Sequence, residues 1–367
     1  MQISIIDNFE QFNRLKEDWD AVYSADPYTT SFVSWAWQRG WCEVTPYKWI
    51  VLAIRPEGMS SYVAFMTFGR SFVRKFRFVT IDCELHLGGH PLSCHTGFVC
   101  LPEYTEQVIS AIAAFIQNQI KWDRFFIREM FDPRLDIFLR YFSHKNYRID
   151  KMNSTPCPYI PLPASWEQYL QDFLSNKTIK RIKYYLRRIE RVTDFRITQI
   201  QADNYDKHID IFLSLHRLRW PLLPEQILNS FRIIFKRCFE NHCLWLPILW
   251  NGATPIAAMA VFIDRKKRNF FFYSQGWDDK FAKLSPGKVI VAYSIKYAIE
   301  NGFRIYDFLR GDEEYKYYFG AINRFNTNIT ITRKNPRITV TAVKNIRRFR
   351  RLQKDIFKRV FRFSLSY

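Results

Sequence analysis

The stretch "KLSPGKVIVAYSIKYAIENGFRIYDFLRGD", Lys283 to Asp312, decides the architecture. A Ser-Pro-Gly turn opens an apolar helical run expected from Gly287 to Asn301, Asn-Gly closes it, and an aromatic strand from Arg304 to Leu309 follows. A third run, "NFFFYSQ" at Asn269 to Gln275, precedes the turn as another strand. Strand, helix, strand in this order is the unit from which mixed α/β sheets are built. The first-turn amides of the helix lack intrahelical partners, and such an end suits a phosphate, although a capped helix without a ligand reads the same way.

Working outward, the second half supplies helices over 166–192, 205–220 and 225–240 and strands over 243–250 and 255–263. The first half repeats the theme. Helices over 9–23 and in "SFVSWAWQRGW" lead to a meander over 49–54, 62–68 and 72–81, and "YTEQVISAIAAFIQNQI" is a helix followed by a strand over 123–130. The Pro-rich "NSTPCPYIPLP" at Asn153 to Pro163 cannot be helical and marks the junction. The expected organisation is α/β (α+β), with mixed-sheet domains over 1–155 and 156–335 and a basic amphipathic tail over 336–367.

The chain has 367 residues, 48% of them apolar and 18% aromatic, ample for two cores. Its formal charge of +20 attracts phosphates, anionic lipids or nucleic acid. That charge is concentrated in "NKTIKRIKYYLRRIERV" at Asn176 to Val192 and in the segment from Arg333 onward, with twelve Lys or Arg against one Asp. No apolar run reaches the roughly 18 residues that a spanning helix needs, and the N-terminus has no export signal, so a cytoplasmic location is expected. Seven scattered cysteines carry no disulfide rhythm. "CELHLGGHPLSCH", Cys83 to His95, reads as a Gly/Pro loop with polar histidines rather than a zinc site, and no metal is expected.

"YDFLRGDEEYK", Tyr306 to Lys316, crowds titratable groups at the mouth of one strand. Strand alternation sets Ile305, Asp307 and Leu309 on one face, so Asp307 lies among apolar neighbours. A carboxylate so placed either pairs with a buried Arg or has a raised pKa suited to a general base. His216, Arg219 and Trp220 of "HRLRW" share a helix face that presents an imidazole and a guanidinium to a ligand, or else sets an exposed His and Arg beside a core Trp.

The ordered series "KRIKYYLRRIER", "HRLRW", "YSQGWDD", "LSPG" and "GFRIYDFLRGDEEYK" resembles the CelD/BcsL type of GNAT acyltransferase, associated with polysaccharide biosynthesis and related to the FemAB aminoacyltransferases. It covers about Asn176 to Ile331, and "SFVSWAWQRGW" is similar to the family's opening aromatic helix. The resemblance implies two tandem GNAT-like domains with the active cleft between them or on the second. It also implies acyl transfer, most simply acetyl, from acyl-CoA to an amine-bearing small molecule or glycan. By resemblance, Asp307 or Asp312 is the base and Tyr315 the acid or positioning group, with His216 beside them. Arg219, Trp220, Arg310 and Lys316 bind the acceptor or its anions, while Gly276, Ser285, Gly287 and Lys288 hold coenzyme A. The usual Gln/Arg-x-x-Gly-x-Gly/Ala phosphate loop is replaced by Ser285, Pro286 and Gly287, which leaves aminoacyl-tRNA open as the donor. A GNAT-fold protein that binds surfaces without catalysis is the remaining alternative.

In the tail, Val343, Ile346, Phe349, Leu352, Ile356 and Val360 recur every three or four residues among Lys and Arg. A helix of this pattern either completes a core or rests residues 341–365 on an anionic membrane surface, at the inner face of the membrane.

Overall fold

The computed structural model describes residues 1–76, 79–192 and 194–334, without the side chains of 73–82. The expected tail lies outside these residues. The chain divides into two units, one of Met1–Thr155 with the strand Phe325–Arg333, the other spanning Pro156–Arg324.

In the first unit β1 (Gln2–Ile6), β2 (Lys48–Arg55), β3 (Ala64–Phe76), β4 (Val79–Leu87) and β5 (Arg124–Met130) lie side by side, followed by Phe325–Arg333 and β6 (Tyr147–Lys151). Helices α1 (Phe9–Arg14), α2 (Lys16–Ala25), α3 (Trp35–Val44), α4 (Thr105–Asn118) and α5 (Leu135–Arg140) complete it. The core joins Leu85, Phe125, Ile127 and Ile329 of the sheet to Val108, Ile109, Ile112 and Ile116 of α4. Strand β4 runs parallel to β5 with α4 between them, so the strand, helix, strand unit occurs here too. Phe325–Arg333 had been expected in the second domain. It pairs instead with β5 and β6, and Ile329 and Ile331 enter the first core.

The second unit holds a mixed sheet in the order β8 (Arg196–Gln199), β9 (Pro247–Asn251), β10 (Thr254–Asp264), β11 (Asn269–Trp277), β12 (Ile305–Asp307), β7 (Tyr159–Pro161). Around it lie α6 (Trp166–Phe173), α7 (Asn176–Glu190), α8 (Tyr205–Arg219), α9 (Glu225–Glu240), α10 (Pro286–Glu300) and the short α11 (Glu314–Tyr318). The helix expected over 166–192 is two, because the Ser175 side chain accepts the Thr178 N–H and starts α7 afresh. One face of the sheet, through Phe270, Phe272 and Tyr306, packs with Val289, Ile295 and Ala298 of α10 and Ile182 and Ile189 of α7. On the other face Phe262 and Tyr273 meet Phe231 and Phe235 of α9.

No helix among the described residues is long and apolar enough to cross a membrane. No group of three or more His, Cys, Asp or Glu that could hold a metal ion occurs among them. Of the segment expected as a Gly/Pro loop, Cys83–Leu87 instead belongs to β4 and pairs with β3.

Candidate active site

The site begins with two parallel strands that part company. Strands β11 and β12 pair only at Asn269↔Ile305, Phe270↔Tyr306 and Phe271↔Asp307. Strand β11 then continues to Trp277 while pairing with β10 alone, so Phe272–Trp277 form an edge that β12 no longer covers. The strand expected over 304–309 stops at Asp307 because Leu309 adopts a left-handed conformation, φ 58°, which ends the alternation.

The β10 register skips Tyr273, passing from Val261↔Phe272 to Ala260↔Ser274. This bulge turns two successive side chains, Tyr273 and Ser274, toward α8 and α9. His216 Nε2 of α8 lies 2.8 Å from Ser274 Oγ. Its ring is 4% exposed, packs near Phe212, Phe231 and Trp220, and leaves Nδ1 without a partner among the described residues. Burial pulls the imidazole down to about 4, so it is neutral at physiological pH. His216 therefore does not face outward as the spacing allowed. Arg219 instead lays its guanidinium 4.4 Å from the Trp277 ring centroid, and Trp220 follows as the helix C-cap. Gly276 allows this close approach: a Cβ there would stand 2.3 Å from the His216 backbone nitrogen.

At the mouth of the parting stands the N-terminus of α10. Ser285 is left-handed, φ 53°, and its side chain makes no cap bond. The first turn is only partly open: Pro286 has no N–H, and the Lys288 and Val289 amides both bond to the Ser285 carbonyl at 3.0 Å. The Gly287 N–H has no backbone partner among the described residues, and a Cβ on Gly287 would meet the Trp277 ring at 3.1 Å. Lys288 Nζ lies 5.5 Å from the ring centroids of Tyr185 and Tyr318. The first turn contains no acidic residue, so helix dipole and ammonium add in the same sense.

The charged stretch after β12 is largely engaged with itself. Asp307, fully buried, accepts the Leu309 N–H at 2.8 Å with Oδ1 and the Arg324 guanidinium with Oδ2. Both oxygens are thus occupied by a loop and a cation, the paired alternative rather than the free base. Lys316, expected to bind anions, is 2% exposed and donates to the carbonyls of Leu309, Arg310 and Gly311 at 3.3, 2.8 and 3.0 Å, with Glu313 Oε2 at 2.9 Å. An ammonium has three donors, and all are taken here. Arg310 is half-buried and Asp312 exposed. Tyr315 packs edge-on against Phe308, and burial together with the Glu313 carboxylate pushes its phenol well above the usual range, so it stays protonated.

The parted strands, the bulge and the helix end thus gather Gly276, Gly287, Lys288, His216 and Arg219, whereas Asp307 and Lys316 serve the loop's own structure. Ser274, Trp277, Tyr185, Tyr318 and Arg324 escaped sequence reasoning. Only the period-2 break at "FFFYSQGW" hinted at the bulge.

Residues 176–317 match the family model described as an acetyltransferase (GNAT) domain. No curated protein matches the chain. Among solved structures, the chain is similar to FemX at 10% identity and a TM-score of 0.62, covering 89% of this chain and 96% of that one. It is also similar to a conserved protein of unknown function from Bacteroides thetaiotaomicron, at 11% identity and a TM-score of 0.55 over 90% and 100% of the two chains. L-PGS from Bacillus licheniformis matches at 10% identity and a TM-score of 0.54 over 95% and 97%. These likenesses establish the fold, a mixed α/β chain of GNAT type with two sheets.

Proposed function

We propose that the second unit transfers an acyl group from acyl-CoA to an amine, and that the acceptor belongs to a polysaccharide precursor or another amino sugar. The observation that carries this reading is the parting of β11 from β12 beside an α10 end that lacks acids. An extended donor bearing amides satisfies the edge Phe272–Trp277 that β12 leaves, as an added strand would, and its phosphates meet the Gly287 N–H and Lys288.

On the opposite face, Ser274 offers a hydroxyl to the reacting carbonyl in this reading, held in place by the neutral His216. Transfer requires a base for the acceptor ammonium, donors for the tetrahedral oxyanion and an acid for the departing thiolate. In this reading Tyr315 is the acid, Asp312 the base, and Arg219 and Arg310 the contacts to an anionic acceptor. Asp307 positions the loop that carries them.

The test is thiol release from a panel of acyl-CoAs with amino sugars and other amines as acceptors. Acceptor-dependent release at a rate lowered by Gly287→Asp supports the reading; absence of release with every acyl-CoA overturns it. The FemAB resemblance supports aminoacyl-tRNA as the rival donor, and transfer from aminoacyl-tRNA without thiol release would establish that instead. Salt-sensitive attachment of residues 341–365 to the inner face of a membrane rests on the sequence pattern alone.

A further inference from the structure

Helix α7 differs from its neighbours in how its charge is placed. Lys177, Lys180, Arg187 and Arg191 fall on one stripe with Tyr184, opposite the buried Ile182 and Ile189. All four cations are exposed, as is Lys183 beside them, and none has a carboxylate within ion-pair distance among the described residues. Several helix cations elsewhere are paired, as in Arg14–Glu10, Lys16–Asp20, Arg237–Glu240 and Lys296–Glu300, while exposed ones without an ion pair among the described residues, such as Lys207, Lys236 and Lys288, stand singly rather than in a row.

In α7 the like charges recur at three and four residues, as in Lys177/Lys180, Lys180/Lys183, Lys183/Arg187 and Arg187/Arg191, a spacing that disfavours an isolated helix. Its first turn also carries Lys177 and no acid, against the helix dipole. The helix dipole offsets the cations of the last turn, Arg187 and Arg188, but not Lys177, Lys180 and Lys183, whose repulsion is suited to compensation from outside.

We infer that this outward stripe of α7 is a docking surface for an anionic lipid bilayer. The stripe is convex and about 21 Å long, so it presents its cations to a plane rather than enclosing a strand. A surface that reads bases or stacks on single strands would need free aromatic faces and base-reading donors, beyond the phosphate contacts that cations alone supply. The single aromatic on the stripe, Tyr184, is 54% exposed, but its hydroxyl accepts the Arg188 guanidinium at 3.0 Å and its ring lies under the same group. Lys and Arg held near an anionic bilayer bind through its surface field without any shaped pocket. The inference is independent of the acyl donor and of the basic tail, because it concerns a face of the folded second unit.

The experiment is co-sedimentation of the full chain with vesicles of phosphatidylcholine alone or with about 30% phosphatidylglycerol. Lys177→Glu/Lys180→Glu/Arg187→Glu is compared with the charge-neutral Lys177→Gln/Lys180→Gln/Arg187→Gln, each checked for an unchanged thermal transition. The expected result is binding that needs phosphatidylglycerol, falls with salt, and weakens at least about tenfold in the Gln variant and further in the Glu variant. Wild-type affinity in the Gln variant, or equal binding to neutral vesicles, overturns the proposal. So does loss of binding to a structured RNA in the Gln variant with vesicle binding intact, which would assign the stripe to nucleic acid.

Discussion

Replacing His216 by Leu removes a titrating group from the second unit's interior while keeping an apolar side chain of similar reach. The wild-type imidazole titrates near 6.5 in the unfolded chain and near 4 in the folded one, with burial as the only cause. Unfolding between those values therefore takes up a proton. Stability due to the neutral ring is complete above pH 6.5 and is lost as pH falls toward 4. From pH 7.5 to 4.5 this one site should remove about 2.5 kcal/mol, at about 1.4 kcal/mol for each pH unit in the window. The variant loses the 2.8 Å contact to Ser274, which costs about 1 kcal/mol at pH 7.5. The two stabilities should therefore cross between about pH 5 and 6, with the variant the more stable chain at pH 4.5. Urea unfolding at half-unit steps of pH measures this. His208, also lowered by burial, is common to both chains and cancels in the difference. Parallel pH profiles for wild type and variant would refute a buried, neutral His216.

Ser274→Ala should lower acyl-transfer turnover about tenfold to a hundredfold with donor affinity unchanged, as for loss of a positioned hydroxyl, measured by thiol release and calorimetry. Asp307→Asn should cost about 3 kcal/mol of stability, because it leaves the Arg324 guanidinium without its anion; Arg324→Met should match it in denaturant melts. An Asp307→Asn chain of wild-type stability but about a hundredfold slower would restore Asp307 as base, whereas the same loss in Asp312→Asn supports the exposed carboxylate. Gly287→Asp should weaken coenzyme A binding more than acceptor binding, through charge at the α10 end and through crowding of Trp277; equal donor affinity in calorimetry would move the donor elsewhere.

The sequence revealed elements that announce themselves locally. The apolar run after Ser-Pro-Gly became α10, one residue from its expected start, and Asn269–Gln275 became the body of β11. What it hid depended on partners distant along the chain. Nothing near Leu309 signals a left-handed residue, so β12 was expected to run past Asp307. Arg324 lies seventeen residues from Asp307, and Ser274 fifty-eight from His216, separations at which no periodicity helps. The alternation of 325–333 is equally good for either sheet, and only the fold could assign it to the first. His216, Arg219 and Trp220 do sit within one turn as spacing required, but burial sends the first inward and a Trp277 face receives the second.

The density of charge in "YDFLRGDEEYK" follows from the parting of the strands. Once β12 leaves β11, the backbone from Phe308 to Gly311 loses the ladder that would have satisfied it, and buried peptide groups without partners are costly. The replacements are specific. Phe308 N–H bonds the Pro158 carbonyl at 2.9 Å, Leu309 N–H the Asp307 carboxylate, and Gly311 N–H the Pro156 carbonyl at 2.9 Å. The carbonyls of Leu309, Arg310 and Gly311 all turn to Lys316, with Glu313 balancing that ammonium. Asp307 and Lys316 thus perform the work of a missing neighbouring strand. Without these side chains the backbone groups from Leu309 to Gly311 would lose the partners they have here, which disfavours the parted arrangement. In the proposed reading Asp307 and Lys316 act one step before any substrate contact, by holding the loop that carries Arg310, Asp312 and Tyr315.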